Sequence, residues 1–526
     1  MLKFYKFRIN NKIIKIVARI LFVIFIILIL LLFLTSCQVP KQNSNKVSTI
    51  KSQLNFLQSL PLPKSNDNNS NNSNSSNKKY DLSSNLPQIE KITLADRILI
   101  LAPHPDDEVI ATAGIIQESL KLKAKVKVVF LTNGDSERNP NIYLKNLPYS
   151  NNTFLLLGEL RRKEAIDALN KLGLSENNIV FLGYPDAGTL NILLSHWDVS
   201  NPYKNNLTKS TFVPYKECYS PGSIYIGRSI LNDLEKIIEN FNPTKIFVSC
   251  PFDMHSDHRA FYLFLRVALW DLKNKVNYPE IYTYLTHYKN WPDFKGYFPD
   301  KILTPPTNFQ NINDINWINF YLTDEEIKKK YDSINSYKSQ LNFGPLLISF
   351  DKKNEIFACL NDINLKNNIL EVYINNYKNN TNNINNKSNN VENKIKNNEI
   401  IWHASVYSNL YYSIINNNLF VNIVTKQKIN NNFYLSIYFL GYSNKIEFSK
   451  MPKIQIKIDK EKLKIFNNDK EIFDKDIYFK INDNNNLIIG IPLSLMKNPQ
   501  YILNGIETQS NYLSNSLFGW RVIYLN

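Results

Sequence analysis

Between residues 92 and 362 the chain alternates short apolar segments with amphipathic ones, and this alternation constrains the fold more than any other feature. Four apolar runs have the length of buried strands: 97–102, 126–131, 179–182 and 245–249. Four segments with helical periodicity follow them: 109–121, 157–172, 230–240 and 259–272. Strands that alternate with helices favour a parallel sheet covered by helices on both faces. The sequence therefore predicts an α/β domain with a Rossmann-like sheet over residues 92–362.

Residues 400–526 have a different pattern, in which runs of β-branched and aromatic residues are separated by turn residues. The clearest runs are 419–424, 433–439, 454–458 and 487–491. Regular spacing of such runs is typical of a β-sandwich. Exposed aromatic side chains on this domain could stack on sugar rings, whereas most of them belong in the core of a sandwich. A carbohydrate-binding role and a purely structural role therefore both stay open.

The N-terminal segment 1–36 has the pattern of an export signal. Its first 19 residues carry six basic side chains and no acidic one, and an apolar run follows at 20–34. Such a run is short for a membrane span of about 20 residues but typical of a signal peptide. The string Leu34-Thr35-Ser36-Cys37 resembles a bacterial lipobox. We therefore expect an exported protein that is lipid-anchored through Cys37 to the outer face of the cytoplasmic membrane, with an uncleaved anchor as the alternative.

Two Asn-rich segments separate the other parts of the chain. Residues 37–91 are polar and contain an almost unbroken Asn/Ser tract, and residues 363–399 are rich in Asn. Segments with so few apolar residues cannot bury enough surface to fold. We therefore predict a disordered tether at 37–91 and a linker at 363–399.

The formal net charge of +16 favours an anionic neighbour such as a nucleic acid, a membrane surface or an acidic polymer. Nothing in the sequence resembles a recognition helix or an aromatic platform for bases, so we expect no nucleic-acid partner. Four cysteines are too few for a disulfide scaffold of this length. The oligomeric state stays open.

Histidine and acidic residues cluster directly after two of the predicted strands. Residues 102–108 read Ala-Pro-His-Pro-Asp-Asp-Glu, and residues 253–258 read Asp-Met-His-Ser-Asp-His. Half of the six histidines of the chain lie in these two strings. Because ligands of open α/β folds bind at the carboxyl ends of the strands, we expect the two strings to meet there. Histidine with carboxylate is a donor set that suits Zn²⁺, and a catalytic zinc keeps an open position.

The PHPDDE string at 103–108 and the HSDH string at 255–258 resemble those of the PIG-L/LmbE-like zinc-dependent N-deacetylases, a family that includes GlcNAc-phosphatidylinositol de-N-acetylase. Weaker matches occur in the family's order at 131–135, 161–164, 182–186 and 350–357. The resemblance covers about 95–360. It implies hydrolysis of the N-acetyl group of an acetylated amino sugar, and the export signal favours an extracellular or cell-wall glycan as substrate.

The resemblance also implies a role for each residue of the two strings. His104, Asp107 and His258 would bind one Zn²⁺ ion. Asp106 would act as the general base. His255, kept protonated by nearby carboxylates, would act as the general acid or stabilise the oxyanion.

Further residues would support the ligands or contact the substrate. Asp253 or Asp257 could orient a ligand imidazole. Arg161 and Asp186 match positions that contact sugar hydroxyls in relatives, although Arg161 could instead form a surface ion pair with Glu164.

Two features have no settled role in the sequence. His287 could line the substrate cleft, or it could be a partly buried side chain at a strand end. Residues 187–221 have little periodicity and could be a substrate loop or an insertion without function. Two rival functions also stay open, namely a non-catalytic surface glycan-binding protein and an amidase that acts on a non-sugar amide.

Overall fold

The computed structural model describes residues 86–136, 150–309, 315–342, 344–365, 407–425, 434–459, 462–482, 486–509 and 517–525. The predicted signal peptide with Cys37, nearly all of the predicted tether and most of the predicted linker lie outside these residues. In the described part of the chain, no helix is both long and apolar enough to cross a membrane. Residues 80–526 form one compact unit, which contains both the α/β region and the C-terminal β region.

A seven-stranded sheet lies at the centre of the α/β region. Its strands are β1 (Arg97–Ala102), β2 (Lys125–Thr132), β3 (Ile179–Tyr184), β4 (Lys245–Ser249), β5 (Glu280–Tyr284), β6 (Ile315–Tyr321) and β7 (Asn354–Leu360). They are arranged in the order β3-β2-β1-β4-β5-β7-β6. Strands β1 to β5 are parallel, and β7 pairs antiparallel with both β5 and β6. The Rossmann-like α/β prediction is confirmed, and the two antiparallel strands extend it.

Helices cover this sheet on both faces. They are α1 (Asp107–Lys121), α2 (Asn151–Lys171), α3 (Thr189–Ser195), α4 (Gly227–Phe241), α5 (Ser256–Asp271), α6 (Asp324–Ile334) and α7 (Lys338–Leu341). Helix α6 packs against α1 and α2, while α5 packs against α3 and α4. The Thr-x-x-Glu string at 323–326 has the sequence pattern of a capping box, and Thr323 and Glu326 form one at the start of α6. That helix ends at Ile334 rather than near 340, and the chain resumes a short helix at Lys338.

The strand order places the ends of β1 and β4 side by side. The chain runs outward from β1 through β2 to β3 and then returns to β4 on the other side of β1. Leu101 of β1 pairs with Val248 of β4, so the residues after both strands leave the sheet at the same edge. This is the topological switch point, where open α/β folds bind their ligands. The fold therefore brings the two histidine strings together.

The C-terminal region is all-β, as predicted. Its strands are β8 (Ile363–Asn364), β9 (Tyr407–Ile415), β10 (Asn418–Thr425), β11 (Tyr434–Tyr442), β12 (Lys453–Asp459), β13 (Lys462–Asn467), β14 (Lys470–Ile472), β15 (Tyr478–Asn482), β16 (Asn486–Pro492), β17 (Tyr501–Gln509) and β18 (Leu517–Tyr524). They form a four-stranded sheet, β15-β16-β10-β9, and a seven-stranded sheet, β14-β13-β12-β11-β17-β18-β8. Alternate residues such as Ile437 and Phe439 of β11 are fully buried, as expected for a sandwich core.

Strand β8 connects the two regions more closely than the sequence indicated. It begins three residues after the last residue of β7 and pairs in parallel with β18 of the sandwich. Residues 363–365, which the sequence assigns to the linker, thus lie in or beside the larger sandwich sheet. A two-residue strand carries too little pattern to be recognised in a sequence.

Candidate metal centre and active site

Three donor atoms from the two histidine strings converge at the switch point. His104 Nδ1 lies 3.3 Å from Asp107 Oδ2 and 3.2 Å from His258 Nε2, and the last two atoms are 3.1 Å apart. All three side chains are buried. Donors placed at zinc–ligand distances around a tetrahedral centre are about 3.3–3.4 Å from one another. The triangle therefore fits a single zinc-sized cation with one face left for another ligand.

Neighbouring donors can be grouped in other ways. The donor atoms of three other groups lie within 4.8 Å of one another: His104, His255 and His258; His104, Asp186, His255 and Asp257; and Asp107, His258 and His287. The His104–Asp107–His258 triangle is tighter than that limit and takes its three atoms from the two strings of the switch point. We therefore take it as the candidate metal centre.

The backbone at the start of α1 turns two successive carboxylates toward the centre. Asp106 has φ 125°, a conformation that L-residues rarely adopt. The N–H of His104 donates to Asp107 Oδ2 at 3.0 Å, which closes the turn on itself. Strained backbone of this kind concentrates at functional sites, where the surrounding structure holds it in place.

Two carboxylates hold His104 from the side away from the centre. Its Nε2 lies 3.2 Å from Asp186 Oδ1 and 3.3 Å from Asp257 Oδ2. Asp257 is itself fixed, because it accepts from the N–H of Ala187 at 2.6 Å and from the N–H and hydroxyl of Thr189 at 3.0 and 2.6 Å. These contacts orient the imidazole so that Nδ1 faces the centre.

Asp253 does the same for His258. Its Oδ2 lies 3.3 Å from His258 Nδ1 and accepts from the N–H groups of Thr286 and His287 at 3.1 and 2.9 Å. Burial by itself raises the pKa of this carboxyl, but His258 and His287 hold it well below its usual range. Asp253 is therefore ionised and keeps Nε2 of His258 turned to the centre.

The electrostatics of the triangle are those of a cation site. Although burial lowers the pKa of His258, Asp107 and Asp253 raise it to about 9. Burial likewise lowers the pKa of His104, but Asp186 and Asp107 bring it well above its usual value. Without a cation, the carboxylates thus favour protons on the two imidazoles. Metal uptake at this site is expected to displace those protons.

Asp106 lies beside the triangle and has the properties of a base. Burial and the neighbouring Asp107 raise its pKa to about 6, against the opposing effect of Arg161. Arg161 Nη2 donates to Asp106 Oδ2 at 3.1 Å and to Pro105 O at 2.8 Å, and Nη1 donates to Gly134 O at 2.9 Å. A carboxylate with a pKa near 6 is ionised at neutral pH and is still basic enough to accept a proton.

The structure gives Arg161 and Asp186 contacts that the sequence did not indicate. Arg161 is buried and braces Asp106, while the buried Glu164 accepts from the N–H and hydroxyl of Ser339 rather than forming a surface pair. Asp186 is buried against His104 and accepts from the N–H of Ser136 at 2.9 Å. Both side chains thus support the centre through their neighbours.

His255 differs from the sequence-based expectation in its charge. It is half-buried at the N-cap of α5, and its ring centroid is 4.5 Å from that of His104. Burial and the nearby His104 lower its pKa to about 3, against the opposing effect of Asp257. The charge of His104 therefore disfavours the expected protonated imidazole of His255 in the metal-free chain. Its Nδ1 accepts from the N–H of Asp257 at 3.3 Å, so the neutral ring carries its proton on Nε2.

His287 lies at the mouth of the site. Its side chain is 35% exposed, and its Nδ1 is 3.4 Å from Asp253 Oδ1 and 3.1 Å from the hydroxyl of Thr286. Its ring centroid is 4.6 Å from that of His258. His287 therefore lies beside the buried triangle and is partly exposed to solvent.

Comparison with known proteins agrees with this geometry. Residues 99–269 match the sequence model of the family PIG-L, described as GlcNAc-PI de-N-acetylase. This segment is a PIG-L domain. It begins in β1, ends in α5 and contains both histidine strings, so the resemblance drawn from the motifs is confirmed for this part of the chain. The search of curated proteins found no match.

Several solved structures each match about half of this chain. An N,N'-diacetylchitobiose deacetylase from Pyrococcus horikoshii is 21% identical, with 47% of this chain and 71% of that chain covered and a TM-score of 0.29. A zinc-inhibited form of teicoplanin deacetylase is 15% identical, with 51% and 99% covered and a TM-score of 0.32. A 4-carboxy-2-hydroxymuconate hydratase from Pseudomonas putida is 16% identical, with 48% and 82% covered and a TM-score of 0.30.

Some residues around the centre of the PIG-L domain escaped the sequence analysis. The hydroxyl of Thr286 lies 3.1 Å from Asp107 Oδ1 and 3.3 Å from His258 Nδ1, and so contacts two members of the triangle. Its position after β5, at the same edge as the two strings, was the available signal. Tyr215 donates to the buried Asp135 at 2.6 Å, where burial and Asp186 raise the pKa of that carboxyl to about 7.

Residues 187–221 of the PIG-L domain brace the centre. They supply the Ala187 and Thr189 groups that hold Asp257, and Asn205 Nδ2 donates to the carbonyl of Asp186 at 3.3 Å. Trp197 from the same segment packs against Phe264 of α5. The segment therefore supports the centre structurally, which the absence of sequence periodicity could not indicate.

Proposed function

We propose that this protein is a zinc-dependent N-deacetylase that hydrolyses the acetamide of an acetylated amino sugar. The observation that carries the proposal is the buried His104–Asp107–His258 triangle with a raised-pKa carboxylate, Asp106, directly beside it. The PIG-L match over residues 99–269 supports the same chemistry, because the description of that family names a de-N-acetylase.

In this proposal His104, Asp107 and His258 hold the metal. A zinc ion at such a site supplies Lewis acidity, which polarises an amide carbonyl and lowers the pKa of water toward about 7. Asp186, Asp257 and Asp253 act from outside the triangle by fixing the two imidazole rings.

Asp106 serves as the general base. Its carboxylate accepts a proton from the water whose oxygen attacks the acetyl carbonyl carbon, and Arg161 keeps that carboxylate in position. His255 faces the same space with a proton on Nε2, from which it can donate a hydrogen bond to the carbonyl oxygen as negative charge develops there.

The reaction ends when the carbon–nitrogen bond breaks. The nitrogen leaves with the proton that Asp106 accepted from the water, and the products are acetate and the free amine of the sugar. His287, partly exposed at the mouth, would contact the sugar. Arg161 and Asp186 are buried, so in this proposal they act mainly through Asp106 and His104.

The proposed substrate is a GlcNAc-type unit within an extracellular or cell-wall glycan. The support for this location is the sequence pattern of residues 1–36 and the lipobox-like string that ends at Cys37. A Cys37→Ala variant should then appear in the medium or as unprocessed precursor, whereas the wild-type protein should fractionate with membranes. A wild-type protein found in the cytosol would contradict the location.

The deacetylase proposal is tested by measuring acetate release from chito-oligosaccharides, peptidoglycan and exopolysaccharide, with and without a chelator. Release from at least one substrate, loss with the chelator and recovery with added zinc would support it. Binding of a glycan without release of acetate would favour the non-catalytic alternative. Release from non-sugar amides alone would favour the amidase alternative.

A further inference from the structure

The sandwich packs along α5, the helix that carries His258. Trp270 of α5 stacks on Tyr501 of β17 with ring centroids 4.8 Å apart, and Tyr442 of β11 donates to Asp271 at 2.8 Å. Arg266 of α5 pairs with Asp362 just before β8, at 2.6 Å. The C-terminal region therefore covers a face of the metal-bearing helix.

One chain of contacts leads from the sandwich into the metal centre. Glu507 of β17 pairs with Arg259 of α5, with 3.3 Å between its Oε1 and the guanidinium Nη2. Arg259 is buried, and its Nη1 donates to the carbonyl oxygens of Asp253 and Met254, each at 2.8 Å. Asp253 is the residue whose carboxylate orients His258. Glu507 thus connects to a metal ligand through a single arginine and a single loop.

Two further contacts hold this arrangement from the sandwich side. Tyr438 of β11 donates to Glu507 Oε2 at 3.1 Å, so both oxygens of that carboxylate are engaged. The N–H of Trp520 in β18 donates to the carbonyl of Pro251, two residues before Asp253, at 3.2 Å. The loop between β4 and α5 is therefore tied to the sandwich at both its beginning and its middle.

The physical need for Glu507 follows from the burial of Arg259. A buried guanidinium is costly unless it is paired and hydrogen-bonded, and removal of one partner of a buried pair is strongly destabilising. When the opposing carboxylate is lost, Arg259 is expected to shift toward other acceptors or water. Its two hydrogen bonds to the Asp253–Met254 backbone would then weaken. As a result, Asp253 would be held less firmly in its orientation toward His258.

We propose that the C-terminal sandwich is part of the catalytic unit and that Glu507 is a positioning residue, which acts through Arg259 on the Asp253–His255 loop. This inference rests on the proposed deacetylase function for its kinetic consequences. It assigns the sandwich a role that is neither sugar binding nor passive support: the sandwich sets the geometry of the loop that carries Asp253 and His255.

The test uses the full chain with Glu507→Gln, which keeps the size of the side chain and removes its charge. Groups that support metal ligands from outside typically change activity or metal affinity by about 10- to 100-fold when altered. We expect kcat to fall by about tenfold with KM little changed, zinc affinity to fall in a chelator-competition titration, and amide hydrogen exchange to accelerate within 251–258. Glu471→Gln, in an exposed sandwich pair with Lys464, is the matched control and should behave as wild type.

A folded Glu507→Gln protein with wild-type kcat, zinc affinity and exchange rates would overturn the inference. If that variant does not fold, Tyr438→Phe removes the hydroxyl that donates to Glu507 and accepts from Gln455, and it should show the same three changes to a smaller extent. A wild-type enzyme that released no acetate would refute the proposed function, yet zinc affinity and hydrogen exchange would still decide whether Glu507 controls the loop.

Discussion

At the scale of single residues, the centre combines groups whose properties depend on their neighbours. Asp106 and Asp107 are adjacent in the sequence, yet Asp107 has its pKa held well below the usual range, mainly by His258 against the effect of burial, while the pKa of Asp106 rises to about 6. The first is suited to bind a cation and the second to accept a proton. The sequence motif identified both residues, but the neutral state of His255 depends on contacts that only the folded chain provides.

Asp106→Asn should separate catalysis from metal binding. The amide keeps the shape of the side chain but cannot accept a proton, and general-base catalysis typically contributes about a hundred- to ten-thousandfold. We expect kcat to fall within that range while zinc affinity, measured by chelator competition, stays close to wild type. Loss of zinc binding in this variant would show that Asp106 is a ligand instead.

Arg161 offers a second test at this scale. Arg161→Met removes the hydrogen bond to Asp106 and those to Pro105 and Gly134. Because these contacts position the base, we expect kcat to fall by about 10- to 100-fold with a smaller change in KM. Arg162→Met, on the same helix and paired with Glu159, is the control and should leave kcat unchanged. A rise in KM alone would mean that Arg161 binds the sugar directly.

At the scale of elements, the sequence predicted the strands and helices whose burial follows a strong pattern. The run that forms β1 is almost wholly buried, and α4 shows a clear apolar face, so both were recognisable locally. Strand β6 at the sheet edge alternates in burial, and β7 is antiparallel to its neighbours, and neither was assigned beforehand. The direction of a strand and its pairing at the sheet edge depend on residues that are distant in the sequence. A local sequence pattern therefore cannot predict them.

The junction between the 187–221 segment and the sandwich contains a buried lysine. Lys453 of β12 donates to the carbonyls of Phe448 and Met451, and its Nζ lies 4.9 Å from the centre of the Trp197 ring. Burial lowers its pKa to about 7. The unfolded chain therefore binds a proton more tightly at this site than the folded chain does.

This difference predicts a pH dependence of stability. Between about pH 7 and pH 10.5 the lysine is protonated in the unfolded chain and largely neutral in the folded chain, so the free energy of unfolding should rise with pH by about 1.4 kcal/mol per unit at most. In Lys453→Met this contribution should disappear. Denaturant unfolding of both proteins at pH 7.5 and 9.5 measures it, with the exposed Lys450→Met as control. Equal pH dependence in the wild type and Lys453→Met would contradict the prediction.

At the scale of the whole molecule, the centre depends on distant parts of the chain. His104 and His258 are 154 positions apart, and Arg259 and Glu507 are 248 apart. The sequence located the two histidine strings because each follows a recognisable strand. It could not locate Glu507, since nothing around that residue in β17 distinguishes it from other sandwich residues.

Removal of the metal should therefore lower the stability of the whole fold. Only the folded chain holds the three donors within 3.3 Å of one another, so zinc should stabilise the folded state by mass action. Zinc at a hundredfold excess over its dissociation constant should stabilise the folded state by about 3 kcal/mol. It should also raise the midpoint temperature of unfolding of the chelator-treated protein. His258→Ala should lose most of this response. An unchanged midpoint on addition of zinc to the wild type would argue against the site.

The short step from β7 to β8 has a consequence for polymeric substrates. A module on a long flexible linker raises the effective concentration of any chain that it captures, over a range set by the linker. Here β8 joins the larger sandwich sheet three residues after β7, the strand that precedes it in the chain, and the sandwich is packed on α5. A sugar held on such a sandwich would lie at one fixed distance from His104. The molecule would then favour acetyl groups at a set distance along the polymer from the bound sugar. A sandwich on a flexible linker would instead allow a range of distances.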